Sequence, residues 1–249
     1  MSAGHGLNMT DDLELSIVIP VFDEQDSLLP LHRELDAALS ELDGRFEILF
    51  IDDGSLDDSA ARLAEIAAKD ERVRVFSLDR RSGQSAALSV GFSAARGRFT
   101  ATLDADLQND PVDLPSMLAR LDEADVVCGV RVDRKDTSLR RFAGRAANAF
   151  RNAMTGESVS DVGCSLRVMR TSMLQRVKMY RGMHRFLPTL LAMEGARVLE
   201  HPVSHRARRF GRSKYGILDR LWVGLVDVMA VRWMQSRSVD YHTSERPRR

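Results

Sequence analysis

The stretch LSIVIPVFDEQDSLLPLHRELDAALSEL, residues 15–42, carries the pattern that decides the fold. Its first seven residues form a short, mostly apolar run, which is typical of a buried β-strand. In residues 27–42, leucines recur at steps of three and four, the spacing of the buried face of an α-helix. These leucines are Leu28, Leu31, Leu35 and Leu39. The stretch therefore predicts a strand and then a helix, joined by a short polar segment.

The same order recurs along the chain. Further strands are predicted at residues 46–51, 73–78, 99–103 and 125–130, and further helices at 60–68, 85–95 and 114–121. This alternation predicts an α/β fold with a mainly parallel central sheet flanked by helices, and ligands then bind at the carboxyl ends of the strands. The polar residues at or after these strand ends are Asp23, Glu24, Asp52, Asp53, Arg80, Arg81, Asp104, Asp106 and Arg131.

The pattern changes beyond Arg131. We predict a helix at residues 139–154, strands at 165–169 and 196–205, a basic loop at 206–216 and an amphipathic segment after it. The predicted organisation is a flexible tail (1–12), one α/β domain (13–216), an amphipathic helix (217–238) and a flexible basic tail (239–249). Within the domain, residues 13–131 form the half with regular alternation, and residues 132–216 form a second half that ends in a mobile basic loop.

Composition excludes several classes of protein. The chain has 249 residues, and its 36 basic side chains balance 36 acidic ones, so no overall positive field would attract a nucleic acid. Cys128 and Cys164 lack the paired spacing of a metal or redox site, which indicates buried thiols in a cytosolic protein. The first residues lack the features of a signal peptide. No run reaches the roughly 18 apolar residues that a membrane span needs.

The sharpest local signal is Asp104-Ala105-Asp106-Leu107-Gln108, directly after a predicted strand. Its carboxylate and amide oxygens suit a hard cation that keeps some water and completes its shell with substrate phosphates. A motif this short also occurs as an exposed turn at a strand end. A second signal, Asp52-Asp53-Gly54-Ser55, suits ribose or base contacts, but the same residues also suit helix capping.

Basic residues cluster in the loop at 206–216, namely Arg206, Arg208, Arg209, Arg212 and Lys214. The glycines among them favour a loop that closes over a phosphate. The predicted helix at 139–154 carries Arg140, Arg141, Arg145 and Arg151, which equally suit a solvated face. No phosphate loop, G-x-G-x-x-G motif or nucleophile elbow occurs, so typical dehydrogenases, nucleotide triphosphatases and serine hydrolases lose their main support.

Taken in order, these motifs resemble the inverting family 2 glycosyltransferases, in particular the branch of dolichol-phosphate mannose synthases and polyprenyl-phosphate glycosyltransferases. The resemblance extends from about residue 16 to residue 215. It is carried by Ile19-Pro20-Val21-Phe22-Asp23-Glu24, Asp52-Asp53-Gly54-Ser55, Asp104-Ala105-Asp106-Leu107-Gln108, Gly129-Val130-Arg131 and His205-Arg206-Ala207-Arg208-Arg209-Phe210-Gly211-Arg212-Ser213-Lys214-Tyr215.

The resemblance implies a GT-A-type glycosyltransferase domain at residues 13–216, with a nucleotide and metal half at 13–131 and an acceptor half at 132–216. It also implies the roles of individual residues. Those implied to bind the nucleotide are Pro20, Phe22, Glu24, Ile51, Asp53, Asp104 and Ala105. Asp104, Asp106 and Gln108 would hold Mg²⁺ or Mn²⁺. The acceptor phosphate would face Arg131, Arg140 and Arg185, and the catalytic residues would be Asp106, Arg131, Arg208 and Lys214. The implied reaction moves a sugar from a GDP- or UDP-sugar to a polyprenyl phosphate.

Two other functions remain open from the sequence. A transferase acting on a saccharide hydroxyl would need a carboxylate base, for which Asp161 is a candidate. An inactive sugar-nucleotide-binding protein at the membrane would need only the binding residues.

The amphipathic segment has an apolar stripe formed by Leu218, Leu221, Trp222, Leu225, Met229 and Trp233. It predicts peripheral attachment to the inner, cytoplasmic face of a membrane. Packing on the protein's own core or in a homodimer would produce the same pattern.

Overall fold

A seven-stranded sheet forms the centre of the computed structural model, which describes residues 13–43, 45–132, 148–156, 159–207 and 217–239. The strands are β1 (Leu15–Val21), β2 (Phe46–Asp52), β3 (Val73–Ser77), β4 (Phe99–Thr102), β5 (Val126–Arg131), β6 (Arg167–Arg170) and β7 (Val198–Val203). Their order across the sheet is β3-β2-β1-β4-β6-β5-β7, with β6 antiparallel to its neighbours and the other pairs parallel.

Helices cover both faces of the sheet. They are α1 (Leu28–Ala38), α2 (Ser59–Ala67), α3 (Gln84–Ala94), α4 (Leu114–Ala119), α5 (148–155 in its described part), α6 (Thr171–Leu174), α7 (Leu187–Met193) and α8 (Ile217–Ser236). Short 3₁₀ helices lie at Ser40–Leu42, Pro111–Asp113, Arg120–Asp122 and Met183–Phe186. The α/β fold predicted from the alternating pattern is confirmed.

Several element boundaries differ from the prediction, most of them by one or two residues. The first helix was expected to reach Leu42, but α1 ends at Ala38 because Leu39 leaves the helical conformation and a separate 3₁₀ turn follows. The last strand is six residues long instead of the predicted ten: β7 begins at Val198 and ends at Val203, and His205 forms an isolated bridge with Asn109, which follows the metal motif. The predicted helix at 139–154 is described only from residue 148, where α5 is helical.

The strand β6 breaks the parallel pattern and shapes the site. It enters the sheet between β4 and β5, so Thr102 at the end of β4 lies opposite Arg167 at the start of β6. Strands from both predicted halves of the domain therefore share one sheet. The chain segment before β6 is brought beside the carboxyl end of β4, where the ligand site was predicted.

Alternate residues of the central strands supply two cores. Ile17 and Ile19 belong to the cluster that includes α1, whereas Val18 belongs to the cluster that includes α3. A Cβ at Gly91 of α3 would lie 2.1 Å from Val18 Cγ1, so only glycine lets this helix approach β1 so closely. The close packing holds α3 against the middle of β1.

Helix α8 packs on the domain through Val228 and Val231. These residues share a buried cluster with Met183, Phe186 and Leu190. Within the described residues, no helix is long and apolar enough to cross a membrane.

Candidate functional site

The loops after β1 and β2 are joined by hydrogen bonds. The Asp23 amide donates to Ser55 Oγ at 3.0 Å, and the Leu56 amide donates to Asp23 Oδ1 at 2.7 Å. Ser55 in turn donates its amide and its hydroxyl to Asp52 Oδ1, at 3.0 and 2.6 Å. The backbone at the predicted nucleotide site is therefore held in place by side chains of the two sequence motifs that predicted it.

Asp53 organises the next loop. Its carboxylate accepts hydrogen bonds from the Ser82 amide at 2.6 Å and from the Gly83 amide at 2.8 Å. Gly83 has a φ of +94°, a backbone conformation that favours glycine, and it immediately precedes α3. The nucleoside role predicted for Asp53 stays a prediction, and the structure adds a role in fixing the amino end of α3.

The other predicted nucleotide-binding residues occupy different environments. Arg81 lies over the ring of Phe22, 4.2 Å from its centroid, and both Arg81 and Pro20 line the cavity described below. The Glu24 amide donates to Ser59 Oγ at 3.0 Å. Ile51 is fully buried in the core, so its side chain faces away from any ligand and a nucleoside contact would use its backbone.

The metal motif begins directly after β4. Gln84 Nε2 donates to Asp104 Oδ1 at 2.8 Å, and the backbone N–H of Gln108 donates to Asp106 Oδ1 at 3.1 Å. Leu107 has a φ of +61°, which is rare for a leucine and marks a tight reversal of the chain. Asp106 is 6% exposed and Ala105 is buried. The motif is thus a buried to half-buried turn at the strand end, and its metal role stays a prediction.

The donor set of the motif fits a divalent cation that is completed by its substrate. Among the described residues, no group of three or more His, Cys, Asp and Glu side chains is placed to hold a metal alone. Magnesium in phosphate-transferring sites is usually bound by one or two carboxylates, and phosphates and water supply the other oxygens. The carboxylates of Asp104 and Asp106 and the side-chain amide oxygen of Gln108, all at one strand end, match that arrangement.

The start of the predicted basic loop is anchored beside this motif. The Arg206 amide donates to the Gln108 carbonyl at 2.8 Å, and the Arg206 guanidinium pairs with Glu34 at 2.7 Å and with Asp110. Burial alone would lower the pKa of Arg206, but the hydrogen bonds that it donates to these two carboxylates, with their negative charge, outweigh burial and raise the pKa. Two predicted catalytic residues, Arg208 and Lys214, lie outside the described residues.

Arg131 is clamped by Asp161. The Arg131 Nε and Nη2 atoms donate to the two Asp161 oxygens at 2.7 and 2.8 Å. A Cβ at Gly163 would lie 2.7 Å from Arg131 Nη2, so the glycine makes room for the guanidinium. Since both Asp161 oxygens accept hydrogen bonds from Arg131, the carboxylate holds the arginine in place. This contact disfavours Asp161 as a general base for a saccharide hydroxyl.

A cavity of about 1030 Å³ adjoins the metal motif. Part of its lining comes from residues at the predicted nucleotide and metal sites, including Pro20, Gln84 and Asp104. The lining also contains polar residues such as Asn148 and Ser165, and arginines and apolar side chains from α5, α8 and the segment before α7. These residues include Arg151, Arg181, Arg185, Phe150, Phe186, Leu225 and Val228. The structure thus brings predicted Arg185 to the same cavity as Asp104, whereas Arg140 lies outside the described residues.

Several lining residues escaped the sequence prediction. Gln84 and Ser85 begin α3, and the only local signal was the glycine before them. No motif in the sequence marks His184, which lines the cavity and has its Nδ1 2.8 Å from Ser85 Oγ. Burial, with a smaller effect of the neighbouring charges of Arg185 and Arg167, lowers the pKa of His184 to about 3. The imidazole is therefore neutral at physiological pH.

The family profile described as Glycosyl transferase family 2 matches residues 16–178. The chain belongs to glycosyltransferase family 2. This confirms the membership that the ordered motifs predicted, and the match includes both Asp motifs, Arg131 and Asp161.

Two curated relatives of this family 2 glycosyltransferase are similar over most of the chain. Dodecaprenyl-phosphate galacturonate synthase of Rhizobium johnstonii is 40% identical over 225 residues, which is 88% of this chain and 66% of that protein. Undecaprenyl-phosphate 4-deoxy-4-formamido-L-arabinose transferase of Klebsiella pneumoniae is 42% identical over 207 residues, which is 82% of this chain and 63% of that protein. The chain therefore spans just under two thirds of the length of these relatives.

A solved structure with a similar fold is glucosyl-3-phosphoglycerate synthase of Mycobacterium tuberculosis, in complex with Mn²⁺, uridine diphosphate and phosphoglyceric acid. It has a TM-score of 0.65 and 20% sequence identity, covering 93% of this chain and 81% of that one. At this identity the comparison concerns the fold alone, and it confirms the GT-A-type fold of this family 2 glycosyltransferase.

Proposed function

We propose that this family 2 glycosyltransferase moves a sugar from a nucleoside diphosphate onto a polyprenyl phosphate, with inversion at the anomeric carbon. The observation that carries the proposal is the single cavity that joins Asp104 of the metal motif to arginines and to exposed apolar side chains of α5 and α8. Such a cavity offers separate places for a diphosphate, a second phosphate and the first part of a hydrocarbon chain.

The names of the relatives support this acceptor. Both Dodecaprenyl-phosphate galacturonate synthase and Undecaprenyl-phosphate 4-deoxy-4-formamido-L-arabinose transferase name a polyprenyl phosphate. Their sugars differ, so the donor sugar of this chain is left open. For the donor nucleotide, the structural neighbour contains uridine diphosphate, and both UDP- and GDP-sugars are retained as candidates.

Asp104 and Asp106, with Gln108, would hold Mg²⁺ or Mn²⁺ at the donor diphosphate. Mn²⁺ and Mg²⁺ are each present in complexes of the structural neighbour with uridine diphosphate. The ion would supply positive charge that stabilises the leaving diphosphate. Gln84 Nε2 fixes the Asp104 side chain through a 2.8 Å hydrogen bond and so holds this carboxylate at the end of β4.

The acceptor would act without a general base. A phosphate monoester has a second pKa of about 6, so at pH 7 it is mostly a dianion and is already a competent nucleophile. Its oxygen would form the new bond to the anomeric carbon as the bond to the diphosphate breaks on the opposite side, with the electron pair leaving on the diphosphate. The engagement of Asp161 with Arg131 is consistent with this absence of a base.

The cavity arginines would position the acceptor phosphate. Arg185 and Arg181 lie in the segment before α7, and Arg151 lies on α5, so the charges come from two directions. Guanidinium groups suit phosphate because they donate parallel hydrogen bonds to its oxygens. The predicted acceptor role of Arg131 would then rest on the orientation that Asp161 gives it.

A membrane surface is the place where such an acceptor is available. The described residues of the predicted stripe, Leu225, Met229 and Trp233, are 38%, 57% and 63% exposed, whereas α8 packs on the domain through a different face. Leu225 also lines the cavity, so the exposed face and the cavity adjoin. We therefore infer peripheral attachment of α8 to the cytoplasmic face of a membrane. The other stripe residues, Leu218, Leu221 and Trp222, are within residues 217–223, whose side chains the structure does not describe.

Transfer to undecaprenyl phosphate tests the proposed function. The full chain is incubated with radiolabelled UDP- or GDP-sugars, the lipid phosphate in detergent, and Mg²⁺ or Mn²⁺, and the lipid-phosphate sugar is quantified after extraction. We expect product with the wild-type chain and a loss of at least about 100-fold for Asp106→Asn, since the lost carboxylate charge supports metal binding and leaving-group stabilisation.

The matched control is Asp122→Asn, the same change at an exposed residue of the 3₁₀ helix after α4. It should retain wild-type transfer. Full activity of Asp106→Asn would remove the metal assignment, and transfer to a saccharide but not to the lipid phosphate would replace the proposed acceptor.

A further inference from the structure

A polar pair in the cavity wall has no part in the proposed function so far. Ser85 Oγ and His184 Nδ1 lie 2.8 Å apart, and both residues line the cavity. Ser85 is the second residue of α3, and His184 lies in the 3₁₀ helix Met183–Phe186 before α7. The pair therefore joins two elements that are 99 residues apart in the sequence.

The imidazole is held rigidly. Arg167 Nη1 donates to the His184 carbonyl at 2.9 Å, which ties the backbone of the 3₁₀ helix to the start of β6. Met183 and Phe186, within the same short helix, are buried in the cluster with α8. With its backbone and one ring nitrogen both bonded, the ring presents its other nitrogen, Nε2, in a fixed direction.

The His184 imidazole is a neutral group that can form hydrogen bonds. Burial and the nearby charges of Arg185 and Arg167 lower the pKa of His184, so the ring carries no charge at pH 7. A neutral imidazole has one donor and one acceptor nitrogen, and Nδ1 is used by Ser85. Within the described part of the chain, no hydrogen bond to Nε2 is found. An uncharged group of this kind suits a hydroxyl, whereas phosphates are better matched by the arginines beside it.

The neighbours of the pair indicate which part of the substrates it would contact. On one side, Ser85 follows Gln84, whose amide contacts Asp104 of the metal motif. On the other side, His184 precedes Arg185, which also lines the cavity. The pair therefore joins two segments of the cavity wall: the start of α3, whose Gln84 contacts the metal motif, and the 3₁₀ helix that carries Arg185, a candidate for the acceptor phosphate. In the reacting substrates, the sugar is the part that lies between the diphosphate and the acceptor phosphate.

We propose that Ser85 and His184 form a recognition element for the transferred sugar, with His184 Nε2 hydrogen-bonded to a sugar hydroxyl and Ser85 fixing the ring. The inference rests on the proposed function and names the residues that read the sugar. It predicts that the pair contributes to the binding of a sugar nucleotide but not to that of the nucleoside diphosphate alone.

Calorimetric titration of the full chain with Mg²⁺ tests this. The probes are UDP and GDP, and the conjugates UDP-glucose, UDP-galactose, UDP-galacturonate and GDP-mannose. For His184→Ala and Ser85→Ala, we expect the Kd of the preferred sugar nucleotide to rise about 3- to 10-fold, the effect of one neutral hydrogen bond. The Kd of the matching nucleoside diphosphate should stay at the wild-type value, and the preference between UDP-glucose and UDP-galactose should shrink.

The chain offers a matched control in a second serine–histidine pair. Ser116 Oγ lies 3.1 Å from His201 Nε2 on the surface formed by α4 and β7. Ser116→Ala and His201→Ala should change neither Kd. Ser85→Ala removes a single oxygen, and a thermal melt confirms that the variant is folded before titration.

The outcomes are distinct. Equal losses for the nucleoside diphosphate and its sugar conjugate would show that the pair only supports the nucleotide site, and unchanged affinities would remove the pair from the site; either result overturns the inference while the proposed function stands. Failure of the wild-type chain to bind any of the sugar nucleotides would contradict the proposed function, and the inference with it.

Discussion

At the scale of single residues, two buried carboxylates near the site serve the fold through defined partners. Asp53 accepts hydrogen bonds from backbone amides before α3, and Asp161 accepts two from the Arg131 guanidinium. Both contacts orient other groups: the amino end of α3 in the first case and an arginine in the second. A substitution at either position is therefore expected to act on the geometry of its partner as well as on any ligand.

His184 gives a pH dependence with a defined sign. Its pKa is lowered to about 3 in the folded chain, whereas an unfolded histidine titrates near its ordinary value of 6.5. As the pH falls below 6.5, the unfolded state takes up a proton that the folded state does not. This histidine therefore lowers the free energy of unfolding by up to about 1.4 kcal/mol per pH unit between the two pKa values.

The His184→Gln variant removes the titrating group and keeps a neutral polar side chain. We expect its free energy of unfolding to decrease less steeply than that of the wild type between pH 6.5 and pH 4.5. Urea unfolding at four pH values in this range measures the difference. Identical slopes for the two chains would mean that the folded state protonates His184 as readily as the unfolded one.

At the scale of elements, α8 has two apolar faces with different neighbours. Val228 and Val231 pack against Met183 and Phe186, whereas Met229 and Trp233 are exposed. Removing the whole helix would uncover that buried cluster and so would change stability together with any surface contact. Substitutions on the exposed face separate the two effects.

The double variant Met229→Ser with Trp233→Ser should lose most of its binding to liposomes that contain anionic lipid. It removes two exposed apolar side chains, of the kind that enter the membrane interface, and leaves the packed face of α8 intact. Co-sedimentation with vesicles measures the bound fraction. Binding of UDP or GDP should be unchanged, because neither residue lines the cavity.

Val112→Ser is the control, since Val112 is exposed but lies in the 3₁₀ helix before α4. It should bind vesicles as the wild type does. If the double variant keeps its vesicle binding but changes from dimer to monomer in light scattering, the exposed face of α8 is an interface between two copies of the chain.

At the scale of the whole molecule, the site is assembled from distant parts of one sheet. The loops after β1, β2 and β4 converge at their carboxyl ends, and the antiparallel insertion of β6 places Arg167 opposite Thr102. Arg206, near the end of the domain, is bonded to Gln108 and to Glu34 of α1. A ligand that contacts several of these loops at once stabilises the whole domain.

We expect UDP or GDP with Mg²⁺ to raise the thermal unfolding midpoint. A ligand at about 100 times its Kd adds about 2.7 kcal/mol, which corresponds to roughly 5–10 °C for a domain of this size. Differential scanning fluorimetry with each nucleotide identifies the base. EDTA should abolish most of the shift, and so should Asp106→Asn. A shift that EDTA leaves unaltered would mean that the nucleotide binds without a metal.

Much of the fold followed from local sequence patterns. The run of residues 15–21 predicted β1, and the leucine spacing after it predicted α1 with its buried face, because hydrophobic periodicity reports which face of an element is buried. The end of α1 at Ala38, before the predicted Leu42, did not follow from this spacing. The position of β6 did not follow, because strand order and direction depend on contacts between segments far apart in the chain. Its short apolar pattern would have suited a parallel strand equally well.

By itself, the sequence determined the alternating α/β elements and the ordered motifs that identify the family. These are local arrangements of residue types, and the capacity of two carboxylates after a strand to bind a cation can be recognised without coordinates. Only the tertiary structure decided that Asp161 holds Arg131, that Ser85 meets His184 across 99 residues, and that the described part of the predicted stripe on α8 faces outward. Each of these depends on packing between elements that are distant in the sequence. For α8, hydrophobic periodicity indicates only that a face is apolar and does not indicate which surface packs against it.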